Sequence, residues 1–223
     1  TLAITLAIST SAIFSPFAGK IIDKDYGNSL LFVSAVLGGI GLILLSLIET
    51  IWHFYLIWIL IGLSISGCLY EPCFSLITKY RNKKAKNDIT KITLIAGFAS
   101  TICFPLTHII SNLFNWQVAV VLFGLVVIFI AAPMLWIGAT LLKKDAHQAP
   151  LLEKSTQHTK ANFLVKNPVF YYLAICFAIF ALVHGASLNH LLSILSERGY
   201  TMNIAILAAS CIGPMQVVGR LIM

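Results

Sequence analysis

Seven long, predominantly apolar runs separated by short charged or polar turns constrain this chain more than any other feature. They cover roughly 1–21, 29–48, 53–78, 89–113, 116–142, 168–195 and 202–223. About 20 apolar residues in helical form cross the hydrocarbon core of a bilayer, so each run predicts one membrane span. Composition points the same way. The 223 residues are 59% hydrophobic and 10% charged, with a mean hydropathy of +0.92, where soluble domains carry about 25% charged residues. A soluble fold of this length has no interior large enough for that much apolar surface.

The turns give the orientation. The first holds Lys20 and Lys24, the third Lys79, Arg81, Lys83, Lys84, Lys86 and Lys91, and the fifth Lys143, Lys144, Lys154, Lys160 and Lys166. The second and fourth hold no Lys or Arg, and the sixth has Arg198 beside Glu197. Lysine-rich turns stay on the cytoplasmic side, so the first, third and fifth are expected there, in the inner (cytoplasmic) membrane of a cell. The net charge of +7 is thus an orientation signal and not a nucleic-acid surface. Cys68, Cys73, Cys103, Cys176 and Cys211 fall within apolar runs without ligand spacing. They read as small buried residues, with no disulfide frame and no metal site.

The first turn, Gly19-Lys20-Ile21-Ile22-Asp23-Lys24-Asp25-Tyr26-Gly27, separates two stretches (1–18 and 30–48) that carry no charge. Gly19 is expected to let its helix approach a neighbour. Asp23 is expected to accept from the N-terminus of another helix, Lys24 to mark the cytoplasmic side, and Gly27 to supply the bend.

The spacing G-x-x-x-D-[K/R] followed by Gly resembles the turn between helices 2 and 3 of major facilitator superfamily transporters. Asp25-Tyr26 before Gly27 is one residue more than the usual form, and Asn28-Ser29 stand where basic residues usually follow. A second copy is suggested by Gly213-Pro214 and Gly219-Arg220 near the last residues, matching Pro16, Gly19 and Lys20. Duplicated halves are a habit of transporters. Cys68-Leu69-Tyr70-Glu71-Pro72, Ala96-Gly97-Phe98 and Phe104-Pro105-Leu106 also resemble bacterial members, loosely the monocarboxylate and oxalate/formate branch. The resemblance implies an all-α integral membrane bundle, seven helices of twelve, corresponding to helices 2 to 8. Residues 1–142 are then the N-terminal half without helix 1, residues 143–167 a cytoplasmic linker, and residues 168–223 the start of the C-terminal half. Asn167 and Pro168 would cap and open its first helix. Thr1 in place of Met, and a stop at Met223 as a span ends, make the chain read as a fragment.

Several spans carry small or polar residues at helical spacing. Thr5, Ser9, Ala12, Pro16 and Gly19 share a face, as do Ser64, Gly67, Glu71, Ser75 and Thr78, and Thr93, Gly97, Ser100, Thr107, His108 and Ser111. Close helix contact accounts for such stripes one at a time; together they are what a central polar hollow requires. Glu71 lies about 10 Å inside the basic turn, at about 1.5 Å per residue. An acid at the centre of a span costs at least about 2.5 kcal/mol unless it faces water, meets a cation or is protonated. Apolar surroundings disfavour a charged carboxylate, the property a proton carrier uses. The plainer account of Glu71 is a structural hydrogen bond at a Pro72 kink. His184, Ser187 and His190 share a broad face of the sixth span, with Asn189 beside them, and suit an anionic solute or a proton relay; the plainer account of His190 and Asn189 is that they face water at the outer interface. His108 sits near the outer end of the fourth span with a local partner expected, and Gln216 is placed to bond across helices.

The expected function is secondary transport of a small organic solute, coupled to protons, by a monomer in lipid without cofactor. Asp23, with Gly19, Lys24, Gly27, Gly219 and Arg220, would form conformational latches, and Glu71, His184, Ser187, Asn189 and His108 the pathway. A drug or metabolite exporter is the nearest alternative. Trp58 stands where many members have Arg, and Phe104 precedes Pro105 where exporters have Gly, which weighs against the drug/proton antiporter form. A seven-span receptor fits the count but not the duplicated Gly-basic turn. No nucleotide, zinc-protease or nucleophile motif supports an enzyme.

Overall fold

The computed structural model describes residues 2–148 and 168–222. Among them there is no strand. The helices are α1 (Leu2–Asp23), α2 (Gly27–Leu45), α3 (Ile51–Cys68), α4 (Tyr70–Arg81), α5 (Ala85–Gly97), α6 (Ala99–Leu113), α7 (Trp116–Val126), α8 (Ala132–Gln148), α9 (Pro168–Glu197) and α10 (Met202–Ile222), with a π-helical turn at Val127–Ala131. Five stretches are long and apolar enough to cross a membrane: Leu2–Asp23, Gly27–Leu45, Ile51–Arg81, Ala85–Leu113 and Trp116–Ala146. Asn203–Gly219 is a shorter apolar helix, and α9 has 30 residues. Pro168 opens α9 as expected; its expected cap, Asn167, and linker residues 149–167 lie outside the described residues. The lysine-rich end of α8 continues helically to Gln148, past the expected edge at 142.

The outer surface is apolar. Trp52, Ile95 and Tyr172 are each 75% exposed, a pattern that lipid solvates and water does not. Trp52 and Trp116 open α3 and α7 at the lysine-poor end, where interfacial tryptophans anchor spans.

The third and fourth apolar runs each hold two helices. In the third, Leu69 is extended (φ −83°, ψ −160°) and separates α3 from α4. Pro72 explains the break, because it has no N–H to donate to Cys68 and its ring crowds that carbonyl. Placed in the first turn of α4, where amide groups lack intrahelical acceptors anyway, Pro72 costs the new helix little. The fourth run is interrupted at Phe98, between α5 and α6.

Contact between helices relies on small residues. α1 lies along α3, and α2 along α3, α7 and α8. At Gly62 of α3 an added Cβ would strike the backbone carbonyl of Ala7 in α1. Gly39 of α2 and Gly124 of α7 face each other, each Cβ position being 2.8 Å from the other's carbonyl oxygen. Such approach is how helices gain dispersion contact when lipid offers no hydrophobic driving force. Ser64 Oγ donates to the Ser34 carbonyl at 2.6 Å and fastens α3 to α2 in the buried interior. Ile22, Leu31, Leu76 and Ala139 form a cluster joining α1, α2, α4 and α8 at the lysine-rich end. α10 packs on α5, α6 and α9.

Candidate functional site

At the lysine-rich end, the first turn is clasped from two sides, and the clasp centres on Asp25. Lys79 Nζ sits 2.6 Å from Asp25 Oδ1, and the Tyr80 hydroxyl donates to the same oxygen at 3.0 Å. Lys79 also donates to the carbonyls of Ile22 (2.7 Å) and Asp23 (3.0 Å), the carbonyls that end α1. Lys143 donates to the Asp25 carbonyl at 3.4 Å. A cation at a helix C-terminus meets the negative end of its dipole, so Lys79 satisfies that end and an anion together.

This arrangement redistributes the roles expected in the turn. Asp23 contributes its backbone carbonyl, while its side chain is exposed and holds no partner among the described residues. The bend is made by Asp25, at φ +64°, a left-handed conformation that Asp and Asn tolerate better than most residues. Gly27 instead opens α2 buried against Leu76, whose side chain a Cβ would strike. Among the described residues nothing lies within 4 Å of the Cβ position of Gly19 or of Gly219, so the close approach expected of Gly19 is not made there. Lys24 is exposed, and the Arg220 side chain lies outside the described residues. The signal for Asp25 was the extra Asp-Tyr before Gly27; its partners, Lys79 and Tyr80, come from a distant stretch of the chain.

Lys79 and then Tyr80, by hydrogen bonds, hold the Asp25 carboxyl below its ordinary value of 3.8. Its contribution is therefore complete above that value and is lost as pH falls through the lowered one. Asp25→Asn keeps the left-handed residue and removes the charge. Thermal unfolding should show Asp25→Asn destabilised by about 0.2–1 kcal/mol at neutral pH, as for exposed pairs. The two proteins should converge only in strong acid. Equal melting at neutral pH would show that the clasp carries no stability.

Glu71 stands in the first turn of α4, immediately after the break. Ser15 Oγ of α1 donates to Glu71 Oε2 at 3.1 Å. The two line a cavity of about 170 Å³ with Gly19, Ser66, Pro72 and Ser75. Glu71 is exposed, contrary to the desolvated setting expected of it, because the α3–α4 break carries it beside α1 on an open wall. Among the described residues no cation pairs with it.

A second set of residues lines the contact between α6 and α10. Pro214 has no N–H for the Ser210 carbonyl one turn earlier, and Thr101 Oγ1 of α6 donates to that carbonyl at 3.1 Å. Gly97 lies against Val217 and Gly213 of α10. At the lysine-poor end, His108 Nε2 is 3.2 Å from Asn203 Oδ1 of α10 and 3.1 Å from Asn112 Nδ2. Alongside run two cavities. One, of about 370 Å³, is lined by Tyr70, Phe104, Leu191, Ile212 and Gln216 among others. The other, of about 400 Å³, is lined by Cys103, Phe104, Thr107, His108, Ser111, Leu192 and Ile206. Phe104 and Leu192 belong to both, so they partition a hollow that follows α6.

Comparison with known proteins decides the family. The family model described as Major Facilitator Superfamily matches residues 1–223. The chain belongs to the major facilitator superfamily. No curated protein and no solved structure matches it. It is thus a multi-pass membrane protein of a superfamily of transporters that bind small solutes.

Within this superfamily chain the expected pathway residues whose side chains are described, Glu71, His108 and Ser187, lie apart. His108 is on the α6–α10 hollow, and Glu71 on the cavity beside α1. Ser187 is exposed on α9 and donates to the Val183 carbonyl of its own helix at 2.9 Å. His184 and Asn189 are on α9, with side chains outside the described residues. Tyr70 and Phe104 were not singled out by sequence, since an aromatic in a lipid-facing run carries no signal of facing a hollow.

Thr101→Val is expected to leave the Ser210 carbonyl unpaired. Such bonds in membranes are worth about 1 kcal/mol, so Tm should drop by about 2–4 °C for a chain of this size. Pro214→Ala restores a backbone donor to the same carbonyl and should erase the difference. An effect of Thr101→Val that persists unchanged on the Pro214→Ala background would contradict this assignment.

Proposed function

We propose that this protein is a secondary transporter that moves a small organic solute through the hollow between α6 and the α9–α10 pair, driven by protons, with alternating access. The observation that carries the reading is the hollow itself, lined from both sides of 149–167 and divided at Phe104 and Leu192. A partition made of two mobile side chains, one from each side, opens when the two groups of helices tilt apart. Their contact suits such motion: it is held by Thr101, by His108 and by the close approach at Gly97. Glu71 is the proton-carrying residue in this reading, adjacent in sequence to Tyr70 of the hollow. The Asp25–Lys79–Tyr80 clasp is the latch on the lysine-rich, cytoplasmic side.

The lining also favours one solute class. Around the Gln216 side of the partition stand Tyr70, Phe104, Leu191, Leu192 and Ile212, with Gln216 and Tyr70 as the residues that carry polar groups. Apolar walls with a few placed polar groups suit an uncharged, partly aromatic solute. A carboxylate substrate asks for a fixed cation, and among the described residues no Lys or Arg lines either cavity. That supports the exporter alternative over the monocarboxylate likeness. The test is a solute panel on proteoliposomes with an imposed pH gradient of either sign. Gradient-driven movement of an apolar neutral solute is expected. Movement of none of the panel under either gradient, with the protein shown to be folded, would contradict the reading.

A further inference from the structure

A fourth cavity, of about 360 Å³, lies among α2, α4, α5 and α8 at the lysine-rich end, away from the hollow. Its wall is made by Leu31, Leu76, Ile77, Ile92, Leu135 and Leu142, and its charged lining by Arg81, Asp88 and Lys91. Met134, 67% exposed, and Ile92, 39% exposed, also line it, so it opens on the apolar outer surface, where acyl chains lie. Arg81 is committed to protein carboxylates, with Nε 3.3 Å from Asp88 and Nη2 3.4 Å from Asp145. Both acids are thereby engaged. Lys91 is exposed and holds no ion pair among the described residues.

We propose that this cavity is a binding site for an anionic phospholipid of the leaflet on the lysine-rich side, with an acyl chain in the apolar wall and the phosphate at Lys91. The apolar part opens sideways into lipid, and the available charge at its mouth is positive. The same turn carries Lys79, Lys83, Lys84 and Lys86 nearby in sequence, and basic clusters at this depth attract acidic headgroups by about fivefold per lysine. Because the walls come from four helices, including the two that carry Lys79 and Lys143 of the clasp, an occupied site braces the same end of the bundle. The site does not depend on the transport reading.

Two substitutions test it without touching the ion pairs. Lys91→Gln removes the cation. Gly138→Leu fills the cavity, and Gly138 has nothing within 4 Å of its Cβ position, so the helix accommodates a side chain there. The purified protein is mixed with phosphatidylglycerol, phosphatidylethanolamine or phosphatidylcholine of one acyl composition, and retained lipid is counted by native mass spectrometry. Phosphatidylglycerol is expected to be retained above the other two, about fivefold less in Lys91→Gln, and to baseline in Gly138→Leu. Circular dichroism melting of both variants is expected to match the parent. Equal retention of all three lipids, retention unchanged in both variants, or displacement of the lipid by inorganic phosphate alone would each overturn the proposal.

Discussion

Exchange of Glu71 for glutamine is expected to reduce solute accumulation driven by a pH gradient to the level of passive leak, with protein yield unchanged. Glutamine keeps an oxygen in place to accept from Ser15 Oγ, now 3.1 Å from Glu71 Oε2, so the local packing survives. What is lost is the group that can be charged at one stage and neutral at another, and a carrier needs both. Solute counterflow, which moves no net proton, should persist. That combination separates a proton carrier from a residue that only shapes the path. Gradient-driven transport equal to that of the parent would remove Glu71 from the mechanism, and loss of counterflow as well would assign it to solute binding.

The second large effect concerns assembly. Gly62→Ala is expected to deplete folded protein severely, because the added Cβ would meet the Ala7 backbone and not a side chain that can rotate away. Overpacking against side chains typically costs about 1–3 kcal/mol, and a backbone obstacle puts this site at the upper end. The control is Gly138→Ala, into open space on α8, which should fold as the parent does. Size-exclusion profiles and melting of the two variants check this. Equal, parent-like melting of both would mean that α1 and α3 do not approach as closely as Ala7 and Gly62 place them.

The fold class was legible because a bilayer demands long apolar runs. Pro72 marked a kink in the third run, but that the helix stops at Leu69, and stops again at Phe98, was not legible, since hydropathy is blind to a helix that stops for one residue and resumes. Phe98 offers no signal of the kind that Pro72 gives. In the first turn, the pattern pointed to Asp23, the position the superfamily resemblance favours. The extra Asp25-Tyr26 instead supplies the left-handed bend and the carboxylate that Lys79 and Tyr80 reach. A spacing rule transfers the place of a charged turn more safely than the identity of the acid that is held in it. Gly27 takes the close approach expected of Gly19 for the same reason, because such contact depends on what lies opposite, and Leu76 is contributed from a distant segment. Glu71 was conspicuous as an acid in an apolar run, but its neighbour Ser15 is 56 residues away in sequence.

The most direct test labels two positions of the hollow from opposite faces of the membrane. With Cys68, Cys73, Cys176 and Cys211 replaced by serine, Cys103 reports the compartment beside His108, and Ala96→Cys in a cysteine-free version reports the compartment beside Gln216. Rates of reaction with a membrane-impermeant maleimide are measured with and without transported solute. If the hollow opens to one side at a time, solute should shift the two rates in opposite directions. Rates that stay constant, or that rise and fall together, would contradict alternating access through this hollow.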